Sequence, residues 1–185
     1  MTLVLYDMLL NLKYPIPDKD IVVYGKEGGK DCDICVGTNK YDAARTIDDE
    51  EKIVMNFVLG SVSHQHFIID RRSVNEAGEG MLVKDLSRNG TFVSLEGGEF
   101  VQVEKVVDGN YDSVKGVAIE LGSRIRLGSE SDHRLEVMTD VGASGAIEAF
   151  LMVREMMEEQ AEEEKAEQEK QKKKKKKGFF GLFGR

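Results

Sequence analysis

The chain of 185 residues is 41% hydrophobic and 7% aromatic, which is typical of a globular domain that buries its core without metals or disulfides. No apolar run approaches the ~20 residues that a membrane-spanning helix requires. Two cysteines cannot make a disulfide framework, and the N-terminus lacks the pattern of a secretory signal. We therefore expect a cytoplasmic protein.

Charge is unevenly distributed along the chain. From Glu148 onward the sequence has ten basic and nine acidic residues, whereas the part before it has 16 basic and 25 acidic residues. An acidic globular part argues against nucleic acid as a partner. We expect no cofactor.

Residues 1–140 are expected to form one domain of short strands. An opening strand within residues 1–14 ends at the turn Pro15-Ile16-Pro17-Asp18. Apolar or alternating runs bounded by turn residues predict further strands at 21–24, 31–36, 66–70, 81–85, 91–95, 100–103, 117–121, 124–127 and 134–138. Many short strands at this spacing predict an all-β fold, a two-sheet antiparallel β-sandwich.

The stretch from Ser61 to Val93 has the most distinctive composition. Two of its apolar runs are flanked by loops rich in hydroxyl, amide and basic side chains. The loops are Ser61-Val62-Ser63-His64-Gln65-His66 and Asp85-Leu86-Ser87-Arg88-Asn89-Gly90-Thr91. Because such side chains donate hydrogen bonds, loops of this kind suit an oxyanion.

These residues resemble the forkhead-associated (FHA) domain, a phosphothreonine-binding β-sandwich of the FHA/SMAD-like type. Five matching pieces occur in the family's order over residues 20–138, which makes the pattern specific. They are Gly25-Lys26, Asp33-Ile34, Ser63-x-x-His66, Asp85-x-Ser87-x-Asn89-Gly90-Thr91 and Leu121-Gly122-x-x-Ile125-x-Leu127-Gly128. The resemblance implies recognition of a phosphorylated peptide and no enzymatic reaction.

The resemblance also implies which residues bind the peptide. Lys26 takes the place of the family's arginine. Ser63 supplies a hydroxyl and a backbone donor to the phosphate, and His64 follows it on the peptide-facing loop. Arg88 occupies the variable position before Asn89, and the side-chain amide of Asn89 is implied to hold the peptide main chain.

Other residues of the motif are implied to be structural. Gly25 belongs to this group, together with His66, which braces its loop, and Gly90, which permits a tight turn. Ser87 and Thr91 are interpreted as turn-forming residues rather than phosphate ligands.

Two features depart from the family pattern. Lysine cannot make the two-pronged contact that arginine makes to a phosphate, and Arg88, Arg71 and Arg72 are the candidates to compensate for Lys26. The second departure is an insertion at residues 37–60, which leads into the first loop. It could extend, cover or occupy the binding surface, and its apolar second half is either a short helix or an added strand.

The insertion contains a candidate phosphosite. Thr46-Ile47-Asp48-Asp49 places an acidic residue three positions after a threonine, an offset at which members of the resembled family commonly discriminate. If a kinase modified Thr46, the loop could occupy the protein's own site in cis or dock into the site of a neighbouring copy. The alternative is an acidic, solvated loop.

The sequence also contains residues of the types found in catalytic sites and in zinc sites. Ser63 and His66 could be imagined as nucleophile and base, but no orienting group or oxyanion motif accompanies them, so no catalytic residue is assigned. Cys32 and Cys35 form a Cys-x-x-Cys close in sequence to His64, but no second cysteine pair follows. Structural thiols are therefore favoured over a zinc site, and no metal ligand is assigned.

The periodicity changes after residue 145. Apolar residues three or four apart predict an amphipathic helix at 146–171 whose first part can dock on the sandwich and whose second part is charged and solvated. The tail at 172–185 joins six lysines to Phe179, Phe180, Leu182 and Phe183. Such a tail suits either an anionic membrane surface or capture by a partner protein, and both remain open.

These observations predict a non-enzymatic adaptor that binds a phosphothreonine-containing protein in Ser/Thr kinase signalling. Its C-terminal tail would dock on a membrane or on a partner, with the protein cytoplasmic or peripheral to that membrane. The alternative is a phospho-independent structural scaffold that uses the same β-sandwich.

Overall fold

A computed structural model of the chain describes residues 2–26, 31–36, 60–72, 80–95 and 97–180. Within these residues, eleven strands are followed by one long helix, α1, which spans Asp140–Phe180. The strands are β1 Leu3–Asp7, β2 Leu12–Pro15, β3 Ile21–Lys26, β4 Ile34–Val36, β5 Phe67–Asp70, β6 Met81–Asp85, β7 Thr91–Ser94, β8 Val101–Gln102, β9 Val117–Ile119, β10 Arg124–Leu127 and β11 Arg134–Thr139. A 3-10 turn spans Tyr111–Ser113.

The strands form two sheets. One has six strands in the order β2-β1-β11-β10-β7-β8, and the other has five in the order β4-β3-β5-β6-β9. Neighbouring strands are antiparallel, except that β3 and β4 are parallel. The predicted all-β, two-sheet sandwich is therefore confirmed, with one parallel pair that was not expected.

Asp33 explains the position of the parallel strand β4. Its backbone N–H donates to the carbonyl of Val23 at 2.9 Å, and its carboxylate accepts from the N–H of Val23 at 3.0 Å. Lys19 also pairs with the Asp33 carboxylate. These contacts fix the residue before β4 against the middle of β3, so the chain re-enters the sheet beside the strand that it has just left.

The core lies between the sheets. Along β11, Leu135 and Val137 are fully buried while the side chains between and beside them are partly exposed, which is the period of two expected for a strand with one face inward. Tyr24 of β3 stacks on Phe67 of β5, with ring centroids 4.7 Å apart. Apolar residues of both sheets thus pack into one continuous cluster.

The N-terminal part differs from its prediction. One strand was expected within residues 1–14, but the structure has the antiparallel hairpin β1–β2. The carboxylate of Asp7 accepts hydrogen bonds from the N–H groups of Leu9 and Leu10, both at 3.0 Å, and Asn11 adopts φ +54°. Asp and Asn favour turns for these two reasons, and here they interrupt an apolar run that would otherwise continue as a strand.

Helix α1 begins six residues earlier than predicted. Gly142 and Gly145 lower the helix propensity of its first turns. The apolar periodicity that predicts the helix therefore begins only at residue 146. Thr139 compensates as the N-cap, because its Oγ1 accepts from the N–H of Gly142 at 2.9 Å. Lys13 adds contacts to Asp140 and Ser144, both at 2.7 Å.

The helix also differs from its prediction farther along. It continues through the lysines of the expected tail and ends at Phe180 instead of residue 171. Two of its apolar residues are exposed, Phe150 at 48% and Met157 at 65%. Docking of its first part on the sandwich stays a prediction. Among the described residues, no helix is long and apolar enough to cross a membrane.

A buried ion cluster lies on the other face of the five-stranded sheet from the core. Asp70, 1% exposed, accepts from Lys84 Nζ at 2.8 Å and from Arg72 Nε and Nη2 at 3.0 and 2.9 Å. The hydrogen bonds from Arg72, together with those from Lys84, hold the pKa of Asp70 well below its usual value. Lys84 is almost fully buried and also donates to the carbonyl of Tyr111 at 2.8 Å.

We expect Asp70→Ala to lower the free energy of unfolding by about 3–5 kcal/mol, because the Lys84 ammonium would remain buried without its carboxylate. Urea denaturation at pH 7 measures this loss. Asp18→Ala is the control, since Asp18 also pairs with an arginine, Arg71, but is fully exposed. A loss no larger than that of the control would contradict this account of the cluster.

Candidate functional site

Two loops that carry most of the predicted site residues lie at the same end of the sandwich. Residues 61–66 lead into β5, and residues 86–90 connect β6 to β7. Because β5 and β6 are antiparallel neighbours with Phe67 opposite Asp85, the start of β5 lies beside the end of β6. The register of one strand pair therefore brings the loops together.

Hydrogen bonds join the two loops directly. The backbone N–H of Arg88 donates to Ser63 Oγ at 3.3 Å, and Nδ2 of Asn89 donates to the carbonyl of Ser61 at 3.3 Å. Lys26, at the end of β3, brings in a third segment, since its N–H donates to the carbonyl of Ser63 at 3.1 Å. The backbones of four predicted binding residues, Lys26, Ser63, Arg88 and Asn89, thus share one neighbourhood.

Gly25 permits this close approach of β3 and the first loop. A Cβ atom built at position 25 would lie 1.9 Å from the carbonyl oxygen of His64. No side chain can occupy that space unless the backbone moves. The glycine is therefore a steric requirement of the site, while His64 itself is exposed beside it.

His66 is fully buried beneath the loops and bonds to three segments. Its Nδ1 accepts from the N–H of Ser63 at 3.0 Å, and its own N–H donates to the carbonyl of Tyr24 at 2.7 Å. Its carbonyl accepts from the N–H of Leu86 at 2.9 Å. Burial lowers the pKa of His66 to about 4, against the opposing effect of the Asp85 carboxylate, so the ring is neutral at pH 7.

This contact changes the role implied for Ser63. The backbone N–H of Ser63 was expected to donate to a phosphate, but it already donates to His66 Nδ1. The hydroxyl oxygen accepts from Arg88, so the hydroxyl proton can still be donated outward. Of the two expected donors of Ser63, only the side chain is available.

The second loop is fixed from within by Asp85. This carboxylate is 2% exposed, and its Oδ1 accepts from Ser87 N at 3.0 Å, Ser87 Oγ at 2.7 Å and Thr91 Oγ1 at 2.6 Å. Gly90 has φ +83°, which a glycine adopts without strain. The hydroxyls of Ser87 and Thr91 are therefore buried and donate to Asp85 within the loop. Arg88 and Asn89, in contrast, are exposed.

Arg71 and Arg72 do not belong to this site. Both arginines follow the end of β5, whereas the loop at residues 61–66 precedes its start. The four residues of β5, roughly 13 Å long, therefore separate the arginines from His66. Arg71 bonds to Asp18, and Arg72 bonds to the buried Asp70. Their predicted role as substitutes for a phosphate-binding arginine is wrong, because both serve the opposite end of the strand.

A groove of about 490 Å³ extends the site along one sheet. Its lining includes Arg88 and Asn89 at one side and Phe92, Gln102 and Lys105 beyond them. The sequence motif did not identify the last three residues. Phe92 and Gln102 are directly opposed in the β7–β8 pair, and only that register shows that they share a surface.

Cys32 and Cys35 lie at the sheet edge as half-buried, reduced thiols. Burial and the neighbouring Cys35 raise the pKa of Cys32 to about 12, so the thiol is protonated at neutral pH. Among the described residues, no group of three or more His, Cys, Asp or Glu side chains is arranged to hold a metal ion. Thr46 and the insertion at 37–60 lie outside the described residues, apart from Gly60.

Comparison with known proteins gives likenesses of fold. No protein-family model matches the chain, and no curated protein matches it. Among solved structures, the FHA domain of human APLF in complex with an XRCC1 bisphospho peptide is 11% identical, with a TM-score of 0.44 over 75% of this chain and 99% of that one. The N-terminal FHA domain of S. cerevisiae Rad53p, in complex with a phosphothreonine peptide, is 16% identical, with a TM-score of 0.42 over 77% and 96%.

The FHA domain of the CT664 protein from Chlamydia trachomatis is a further similar structure, at 13% identity and a TM-score of 0.41 over 75% of this chain and 97% of that one. The chain is similar in fold to each of these FHA domains, as its motifs led us to expect. All three TM-scores are below 0.5, so the likeness is one of fold alone.

The pKa of His66 predicts a pH-dependent stability. The folded value of about 4 lies below the ordinary 6.5, so as the pH falls the unfolded chain binds a proton first. The contribution of the neutral His66 ring to stability is fully present above about pH 6.5 and is lost as the pH falls toward 4. The free energy of unfolding should fall by about 3 kcal/mol over this range.

Urea denaturation between pH 7 and pH 4 measures this change. We expect His66→Gln to flatten the dependence relative to the wild type, while His64→Gln, an exchange of the exposed neighbour, preserves it. Equal pH dependence of the wild type and His66→Gln would show that His66 is not buried as a neutral ring.

Proposed function

We propose that the loops at 61–66 and 86–90 bind a phosphothreonine in a partner protein. A phosphothreonine carries about two negative charges and three acceptor oxygens at neutral pH. The hydroxyl of Ser63, the guanidinium of Arg88 and the ammonium of Lys26 are the donors that match it. The observation that carries this proposal is the hydrogen bond from Arg88 N–H to Ser63 Oγ, because it fixes a hydroxyl beside the backbone of an exposed cation.

Preorganisation supports a binding role for this site. The loops are held by buried groups, namely His66 under the first and Asp85 under the second. Binding then costs little ordering of the backbone, and the exposed side chains need only adjust their rotamers. Residues 1–147 carry more acidic than basic side chains. The cations of this site are therefore the local feature that attracts an anion.

The same contacts argue for recognition over catalysis. His66 Nδ1 accepts from the backbone N–H of Ser63, and the Ser63 hydroxyl is bonded to Arg88. A nucleophilic serine would need a base at its hydroxyl, which this pairing does not supply. The arrangement therefore supports a non-enzymatic binding module.

Asn89 and the adjoining groove are proposed to hold the rest of the peptide. The Asn89 side chain is exposed between the phosphate-binding donors and the groove, so its amide can pair with a peptide backbone. His64 is exposed on the facing loop. Lys105 and Gln102 farther along would contact residues that follow the phosphothreonine.

The proposed ligand implies a Ser/Thr kinase upstream, since another enzyme must add the phosphate. The protein would then be an adaptor whose binding follows the activity of that kinase. Self-occupation by a phosphorylated Thr46 remains a prediction, as does docking of residues 172–185 on an anionic membrane surface or on a partner protein.

We expect Ser63→Ala and Arg88→Ala each to weaken binding of a phosphothreonine peptide at least about tenfold, because a hydrogen bond to a charged group contributes about 1.5–3 kcal/mol. The probe is the best binder from a degenerate phosphothreonine peptide library, and fluorescence anisotropy measures its Kd. Arg124→Ala is the matched control, since Arg124 lies at the opposite end of β10 from Leu127, which pairs with Thr91.

The unphosphorylated twin of that peptide separates the alternatives. The proposal requires that it bind at least about a hundredfold more weakly, as expected when a dianion loses two charge-assisted contacts. Equal affinity for the two peptides would replace phosphothreonine recognition with a phospho-independent scaffold.

Lys26→Arg should tighten binding of the same phosphopeptide several-fold, because a guanidinium can make two parallel hydrogen bonds to a phosphate where an ammonium acts as a point charge. Lys19→Arg, on a lysine that pairs with Asp33, is the control and should change nothing. If Lys26→Arg and Lys26→Ala both left the Kd unchanged, Lys26 would not contact the phosphate.

A further inference from the structure

The sequence of helix α1 is divided into blocks of different chemistry. Residues 146–157, the apolar block, include Phe150, Met152 and Met156. Residues 158–169, the acidic block, contain seven glutamates and one lysine, and residues 170–177, the basic block, contain seven lysines and no acid. The helix then ends with Phe179 and Phe180. The two charged blocks thus carry nearly equal and opposite charge.

The helix cannot neutralise these blocks by folding on itself. It is continuous from Asp140 to Phe180, so the centres of the acidic and basic blocks are held about 15 Å apart along one axis. Only side chains near the boundary can pair at i, i+4 spacing. Pairing between the centres of the two blocks therefore requires a second chain segment.

The apolar block contains large apolar side chains that are exposed. Phe150-Leu151-Met152-Val153 are four consecutive residues, which at 100° per residue point to all sides of the helix. Their exposed fractions are between 39% and 66%. A helix that is apolar on all sides is normally buried.

We propose that α1 pairs antiparallel with α1 of a second copy of this chain. A two-fold axis near residue 168 places each acidic block beside the partner's basic block, and this match occurs twice. The same register places Met156 and Met157 opposite Phe180 and Phe179 of the partner subunit. Both charged blocks are therefore matched by one arrangement, whereas a parallel pair would place lysines beside lysines.

An anionic membrane satisfies these blocks less completely. The basic block and the final phenylalanines suit such a surface, but the acidic block precedes it on the same helix, with the block centres about 15 Å apart, and would be repelled. A lysine-rich helix end also complements the helix dipole, yet that effect leaves the exposed apolar block unexplained. The second copy is the occupant that neutralises both charged blocks.

Sedimentation velocity on the full chain tests this pairing. We expect a dimer at low salt that dissociates in about 0.5 M NaCl, because exposed charges are screened there. Two charge-reversed chains sharpen the test: one replaces Lys172 to Lys177 by Glu, and the other replaces Glu158, Glu159, Glu162, Glu163 and Glu164 by Lys. Each alone should be monomeric, and an equimolar mixture should form a dimer.

The orientation is tested by disulfide cross-linking in a Cys32→Ser, Cys35→Ser background. Mixed Glu159→Cys and Lys177→Cys chains should cross-link to each other, and neither should cross-link to itself. Cross-links within each single variant would indicate a parallel pair and overturn the proposal.

Two other results would also overturn it. The first is a wild-type chain that is monomeric at low salt. The second is a mixture of the charge-reversed chains that does not associate. Co-sedimentation of such a monomer with phosphatidylserine vesicles, lost in the Lys172 to Lys177 variant, would identify a membrane as the occupant instead.

Discussion

The two binding loops depend on the buried residue His66, whose neutral ring makes one contact and whose backbone makes two. One residue accepts from Ser63, bonds to Tyr24 in β3 and accepts from Leu86 in the second loop, so three segments distant in sequence are held together. Charging the ring would place a cation in a fully buried position and remove the acceptor at Nδ1. Because the pKa is lowered to about 4, the loops keep their arrangement throughout the physiological pH range.

The fixed loops hold a small, exposed, positively charged site on a domain that is otherwise acidic. The carboxylate of Asp85 accepts hydrogen bonds from Ser87 and Thr91 of its own loop and does not face the solvent. The exposed Arg88 therefore lies beside the Ser63 hydroxyl, with the end of β3 at Lys26 close to both. In an otherwise acidic domain, this local cationic group is what makes recognition of a phosphorylated residue physically reasonable.

Sequence patterns predicted the strands of the sandwich because alternation and turn residues are local signals, and the spacing of motif pieces placed Ser63 and Asn89 in loops. What the patterns missed depends on register or on competition between neighbours. The occupied N–H of Ser63 follows from a histidine three residues away folding back, and the exclusion of Arg72 follows from the buried Asp70. The early start of α1 depends on a capping Thr139 that outweighs two glycines.

The central claim is that two loops, joined through Ser63 and Arg88, form one surface that distinguishes a phosphorylated threonine from a bare one. Chemical-shift titration of the ¹⁵N-labelled chain with a phosphothreonine peptide and with its unphosphorylated twin tests it most directly. The account predicts that the amides of Ser63, Arg88 and Asn89 shift together, with one common Kd, and only with the phosphorylated peptide. Shifts that lie away from both loops, or that are the same for the two peptides, would contradict it.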